Sequence, residues 1–290
     1  MPTFTEPVEV TAGLLRDWPL PEAGDSKYSR GQVVVIGGAR RSPGAAMLAG
    51  IAALRVGAGR LSLAVGDTAA TGVAIAVPES GVVGLAETAS GHVAGRSVER
   101  AGADLAGADA ILAGPGLDDA DESVALLQRL SELVSDEATV VLDAFAIGVL
   151  PRVTDEYSKF GGRLVLTPNK DEAARLLDRE LDDETADVAE IARRYGAVVS
   201  CYGVIADPDG FLWRVTAGRP GLGTSGSGDV LAGAITGLCA RGATPAQAAV
   251  WSTHLHAIAG DRLAARIAPL GYLSRELLDE LPLALREIEG

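Results

Sequence analysis

Short valine- and leucine-rich runs recur along this chain, each stopping at a glycine or proline turn before a helical pattern. That alternation constrains the fold more than any other feature. QVVVIG (Gln32 to Gly37) closes on Gly37 and Gly38 and is followed by ARRSPGAAMLAGIAALRVGAG, whose helix is expected to begin near Pro43. ADAILAGPGL (Ala108 to Leu117) ends in a glycine-proline turn and precedes a helix from about Asp119 to Ser135, with Val124, Leu127, Leu130 and Val134 on one face. TVVLDAFAIGVL contains a strand ending at Asp143, and RLVLTPNKDEAARLL reads as a strand, a proline turn and a helix start. Runs this short and apolar suit strands buried on both faces. The chain therefore reads as α/β, a mostly parallel central sheet with helices on both faces.

The remaining segments fit the same plan. RLSLAV and VAIAV read as strands, and the polar stretch from Ser80 to Gly107 holds helix-compatible pieces, with His92 as a surface residue. The acid-dense segment Asp178 to Glu190 reads as a solvated helix face or loop rather than a metal site. AVVSCY is a strand, and VIADPDGFLWRV a hairpin about its Pro-Asp-Gly turn. Helices are expected at 226–242, about 245–266 and near 274–285. His254 and His256, two apart on the second of these, diverge and do not suit a shared metal. Residues 1–30 carry Pro2, Pro7, Pro19 and Pro21 and read as an arm lying on the domain rather than as a strand of its core, with Thr11 capping one short helix. No linker or repeat divides residues 31–290, which read as a single domain.

Charge narrows the function. With 290 residues and a net charge of −14, the chain lacks the basic face that nucleic acid or an anionic membrane requires. MPTFTEPVEV has no basic segment followed by an apolar one, so no secretory signal and a cytoplasmic location are expected. Its apolar runs are interrupted by charge before they could cross a bilayer. The two cysteines, Cys201 and Cys239, have no CxxC spacing and read as buried reduced thiols. No metal-ligating residue set is expected.

The stretch with most chemical content is PGLGTSGSGDVLAGAITG, Pro220 to Gly237. Its glycines deny regular structure up to Asp229, where a small-residue helical run begins. The amides of Gly226, Ser227, Gly228 and Asp229 would then be unpaired at a positive helix end, a site for phosphate or another developing anion. Asp229 puts a carboxylate in the same turn, suited to act as a base toward a substrate hydroxyl; the plain alternative is an ordinary acid in the first turn of a helix. A second loop, after Gly38, carries the basic pair Arg40 and Arg41. It is neither GxGxxG nor a P-loop.

On VVVIGGARRSPGAAMLAGIAALRVGAG, ADAILAGPGL, VVLDAFAI, LTPNKDEAARLL and GRPGLGTSGSGDVLAGAITGL, which cover most of its length, the chain resembles the ADP- or ATP-dependent NAD(P)H-hydrate dehydratases of the ribokinase-like superfamily. The resemblance implies a three-layer ribokinase-like fold, with nucleotide and substrate meeting at the C-terminal ends of the strands. It implies a metabolite-repair reaction in which ADP or ATP, with Mg2+, phosphorylates the ring hydroxyl of (S)-NAD(P)H hydrate and phosphate is then eliminated. It further implies Asp229 as the base, Ala45, Gly116 and Asn169 beside the hydrate with Asp229, and Ser225, Gly226, Ser227 and Gly228 around the nucleotide phosphates; a homo-oligomer is also implied. The chain departs from the family at Phe145, where a second Asp is usual, and at Asn169, Lys170 and Asp171, where His-Pro-Gly is usual. A Lys-Gly pair is missing around Ser200, Cys201 and Tyr202, with Arg40, Lys170 and Arg219 as substitutes. TPNKDE is also similar to the TPN-x-x-E element of sugar and vitamin kinases. A small-molecule kinase and a nucleotide-binding paralogue without turnover therefore stand as alternatives.

Overall fold

The computed structural model describes residues 6–218 and 220–290. The chain opens with β1 (Val8–Glu9), α1 (Ala12–Asp17), β2 (Gln32–Ile36), α2 (Pro43–Arg55), β3 (Arg60–Gly66), α3 (Asp67–Ala76) and β4 (Ser80–Leu85). It continues through α4 (Gly102–Ala106), β5 (Ala110–Ala113), α5 (Ala120–Leu133), β6 (Thr139–Leu142), α6 (Phe145–Val149), α7 (Thr154–Tyr157), β7 (Leu164–Leu166), α8 (Lys170–Leu177) and α9 (Glu184–Tyr195). The last third holds β8 (Val198–Cys201), β9 (Val204–Ala206), β10 (Leu212–Arg214), α10 (Ser227–Ala240), α11 (Pro245–Arg266) and α12 (Ser274–Glu289).

All ten strands form one sheet in the order β1-β10-β9-β8-β7-β6-β5-β2-β3-β4. Strands β2 to β8 pair in parallel; β9–β10 is the antiparallel hairpin expected about the Pro-Asp-Gly turn, and β8–β9 forms a second antiparallel hairpin, about Tyr202, that the sequence reading did not include. Asp207 Oδ1 fastens that second turn by accepting from the amides of Asp209, Gly210 and Phe211.

Residue alternation along the strands divides the core between the two faces. Val33 and Val35 of β2 pack with α2, α10, α11 and α12, whereas Val34 and Ile36 pack with α5, α6, α8 and α9. Each such side chain, taken wholly out of water, contributes about 1.5–3 kcal/mol. Both cysteines are buried and free, and burial pushes both thiols up to about 12.

Four segments differ from their sequence reading. The N-terminal arm does supply a strand, since Val8 and Glu9 pair with Trp213 and Arg214 at the sheet edge, where an extended chain finds the open backbone groups of β10. VAIAV is not a strand: residues 73–76 complete α3 and Val77 caps it. Val73 and Val77, four apart, are buried while Ile75 is 77% exposed, which is the face of a helix and not the alternation of a strand. Conversely, β4 lies in the stretch read as polar and helix-compatible; as an edge strand with two glycines it is half-exposed and shows no clean period. The C-terminal helix also runs on to Glu289 through Pro282. His92 is half-buried and ion-paired, its Nδ1 2.8 Å from Asp118, and that hydrogen bond raises its pKa.

Among the described residues no helix is long and apolar enough to cross a membrane.

Candidate active site

From β2 the chain steps outward to β3 and β4, then returns to the other side of β2 as β5 and continues to β6, β7 and β8. Such a reversal opens a crevice at the C-terminal strand ends, where ligands bind in open α/β sheets. Here the loops after β2 and β5 face one another. The Gly38 amide donates to the Pro115 carbonyl at 2.8 Å, and the Ala39 amide to the Gly116 carbonyl at 2.9 Å. Ser42 Oγ donates to the same Gly116 carbonyl at 3.0 Å. Gly116 has φ +73, and a Cβ there would lie 2.4 Å from the Ser42 carbonyl and 3.2 Å from Ala45 Cβ. Ala45 and Gly116 are thus neighbours.

The glycine turn arrives from the opposite direction. Gly226 caps α10 at φ +86, with Leu48 of α2 so near that a Cβ would meet its Cδ1 at 2.6 Å. The first two turns of α2, through Ala45 and Leu48, therefore link Gly116 to the start of α10. Of the four amides expected to be free, three are: those of Gly226, Gly228 and Asp229 have no described partner. The Ser227 amide is taken, donating to the Thr224 carbonyl at 3.2 Å, because the chain makes one more turn before the helix. Ser227 is an anchor instead. Its hydroxyl and carbonyl lie 2.9 and 3.0 Å from His256 Nε2, and burial pulls the His256 pKa down to about 4, so the imidazole is neutral. Ser225 points its carbonyl away to Ser274 Oγ at 2.7 Å and does not line the adjoining cavity.

That cavity, about 580 Å³, is lined by the apolar side chains Val215, Leu222, Leu231 and Ala257 and by the polar group Asn169, Ser200, Tyr202, Ser227 and Gly228. Asn169 sits at the start of α8 in a capping box: its Oδ1 accepts from the Glu172 amide, and its own amide donates to Glu172 Oε2, both at 2.9 Å.

Asp229 follows Gly228 directly, and burial raises its carboxyl to about 6. A second acid belongs to the same corner and had not been assigned a role from the sequence. Asp143, at the end of β6, is buried and raised to about 7, first by desolvation and then by the charge of Asp229. Thr167 Oγ1 donates to Asp143 Oδ1 at 2.6 Å, and the next residue, Ala144, holds a positive φ of 49°. The sole sequence signal for Asp143 was an acid at the end of an apolar strand. His256 carried no signal, since its partner lies 29 residues away.

Arg40 is committed elsewhere, 2.7 Å from Glu87. Arg219 lies outside the described residues. Phe145 packs against the face of the core formed with α5 and α8.

A parallel sheet with its crevice at the strand reversal, and an acid beside a glycine turn at a helix start, define the chain as a ribokinase-like α/β protein. The fold superposes on a ribokinase-like superfamily protein of Enterococcus faecalis with a TM-score of 0.83 at 24% identity, covering 99% of this chain and 98% of that one. More narrowly, the chain belongs to the NAD(P)H-hydrate dehydratase family, whose profile matches residues 33–283. It is 43% identical over 282 residues to the ADP-dependent (S)-NAD(P)H-hydrate dehydratase of Xanthomonas campestris pv. campestris, with 94% of each chain covered. It is 36% identical over 278 residues to the bifunctional NAD(P)H-hydrate repair enzyme Nnr of Moorella thermoacetica, covering 93% of this chain and 52% of that enzyme. The chain thus spans about half of the bifunctional relative. Among solved structures, the ADP/ATP-dependent NAD(P)H-hydrate dehydratase of Bacillus subtilis, co-crystallised with ATP/Mg2+, superposes with a TM-score of 0.80 at 25% identity, covering 98% and 99% of the two chains.

Proposed function

We propose that this protein is an ADP-dependent dehydratase that returns (S)-NAD(P)H hydrate to NAD(P)H, as metabolite repair. The observation that carries the reading is Asp229, a partly buried carboxylate in the same turn as the free amides of Gly226 and Gly228. Asp229 takes the proton of the ring hydroxyl as the hydroxyl oxygen attacks the β-phosphorus of ADP, and the bond from that phosphorus to the bridging oxygen breaks to release AMP. The amides hold the phosphoryl oxygens, whose negative charge they and the helix end stabilise. The phosphate then leaves its ring carbon with the help of the ring nitrogen's electron pair, and loss of a proton from the adjacent ring carbon restores the double bond of NAD(P)H. A base raised to about 6 is largely ionised at pH 7 and a stronger proton acceptor than an ordinary carboxylate. Ala45, Gly116 and Asn169 form the hydrate side of this reading, and the cavity beside Gly228 the nucleotide side.

Mg2+ fits the site as a companion of the nucleotide. Among the described residues no three His, Cys, Asp or Glu side chains form a cage. The charges of Asp229 and Glu172 both raise Asp143, however, so the corner holds negative charge that a cation on the phosphates would offset. Glu172 would hold the ion through water, and its chemistry when bound is to screen the phosphates. We further read residues 31–290 as one catalytic domain and the enzyme as a homo-oligomer, which light scattering tests.

The deciding experiment supplies S-NADH hydrate, Mg2+ and either ADP or ATP, and follows the return of reduced-nicotinamide absorbance. Return is expected with ADP, and its absence with both nucleotides sinks the proposal. A stable phosphorylated alcohol without that return would mark a kinase. Asp229→Asn should lower kcat by about 10²–10⁴-fold. Near-normal turnover in that variant would remove Asp229 from the chemistry.

A further inference from the structure

Two residues beside the cavity break local rules, and they touch. Tyr202 and Gly203 are the two connecting residues of the β8–β9 hairpin, with φ +48 and +84. A turn with both residues at positive φ favours Asn-Gly, and a tyrosine there costs about 1–2 kcal/mol. The ring is also 65% exposed, so burial does not offset the strain. Lys170 is the first residue of α8, where the helix dipole disfavours a cation. Its Nζ lies 4.7 Å from the Tyr202 ring centroid. Strained or locally unfavourable choices of this kind gather at functional sites.

Both residues adjoin the polar lining of the cavity. Tyr202 is part of that lining, with Asn169, Ser227 and Gly228, and Lys170 follows Asn169 on the ridge between this cavity and a neighbouring surface cleft. Its ammonium already lies against Tyr202, a residue of the cavity lining, on a flexible four-carbon stem. Lys170 is not locked to its acidic partner. Glu184 lies 3.3 Å from Lys170 but also 3.8 Å from Arg214, so Lys170 can leave without stranding a carboxylate. The free amides of the glycine turn are neutral, and the acids nearby are Asp143, Glu172 and Asp229. A polyphosphate entering here, even with its Mg2+, would gain from a protein cation.

We propose that Tyr202 and Lys170 form a cation–aromatic post in which Lys170 is the protein's cation for the nucleotide polyphosphate and Tyr202 is the residue that positions it. The inference rests on the nucleotide-dependent reading above. Tyr202 acts through Lys170, so its loss affects phosphate binding and not recognition of the base.

Calorimetric titration of the wild-type protein and four variants with MgADP and with adenosine, beside thermal melts, tests this. Lys170→Met should weaken ADP binding about tenfold or more while leaving adenosine unchanged, and Lys170→Arg should retain most of the affinity. Tyr202→Gly should weaken ADP binding alone while keeping or raising Tm, because glycine relieves the turn; Tyr202→Phe should match wild type. Wild-type ADP affinity in Lys170→Met overturns the proposal, and so does an equal loss of adenosine and ADP binding in either Lys170→Met or Tyr202→Gly. Unchanged ADP binding in Tyr202→Gly removes Tyr202 from the post. If the wild-type protein binds no MgADP, the nucleotide-dependent reading itself falls, and this inference with it.

Discussion

At the scale of single residues, the proposed chemistry rests on Asp229 and on its buried neighbour Asp143, 86 positions away in the chain. Burial raises both, to about 7 and about 6, and the charge of Asp229 adds to the rise at Asp143. Near neutrality the pair therefore gives up its protons in two overlapping steps. A base must be deprotonated to work, so kcat/KM is expected to fall as pH drops through about 6, a limb that a pH–rate profile reads directly. The same shifts govern stability with a definite sign. Asp143 titrates near 3.8 when unfolded and about 7 when folded, so between those values the native state binds more protons. The stability contributed by its protonated form is complete below the unfolded value and is lost as pH rises toward and through 7. Asp143→Asn, which keeps the Thr167 hydrogen bond without the charge, should thus be more stable than wild type at pH 8, by on the order of 2 kcal/mol. Urea melts should show the gap closing toward pH 4; a variant less stable at pH 8 would contradict the assignment.

At the scale of elements, the glycine turn before α10 depends on how closely α10 lies on α2. Gly233 and Gly237 make that approach possible: a Cβ at Gly233 would stand 2.0 Å from the Ala49 carbonyl, and one at Gly237 2.6 Å from the Ala53 carbonyl. Gly233→Ala should therefore destabilise by about 1–3 kcal/mol or more, as overpacking does, although alanine is the better helix former. Gly72 in α3 is the control, since a Cβ there meets nothing within 4 Å. Gly72→Ala should hold or raise Tm, by up to about 1 kcal/mol of stability. Thermal melts of the two variants should move in opposite directions, and a common shift would count against close α2–α10 packing.

At the scale of the whole molecule, the N-terminal segment closes the far edge of the sheet and the face beneath it. Strand β1 pairs with β10, Leu15 is fully buried, and Trp18 stacks on Trp213 with centroids 5.9 Å apart. The Trp18 carbonyl accepts from Trp251 Nε1 at 3.0 Å, and the carbonyls of Trp18 and Pro19 accept from Gln247 Nε2 at 3.2 and 2.9 Å. Removing residues 1–20 would leave two buried donors without acceptors, at about 1–3 kcal/mol each, and lose roughly 2 kcal/mol of Leu15 burial. A clear fall in Tm is expected, and an unchanged melt would show that the arm contributes little. By itself the sequence determined what is local: the strand–turn–helix units, the Pro-Asp-Gly hairpin, the Thr11 cap and the acid-bearing glycine turn. Each is decided by φ restrictions, caps and periodicity over a few residues. It misread 73–77 because a short apolar run fits both periods, and it passed over β4 because an edge strand is half-solvated. Only the tertiary structure decided that the chain reverses between β2 and β5. The same long-range packing puts Asp143 beside Asp229, anchors Ser227 on His256 and sets Lys170 against Tyr202. Those pairings join distant parts of the chain through burial and charge, which no local pattern records.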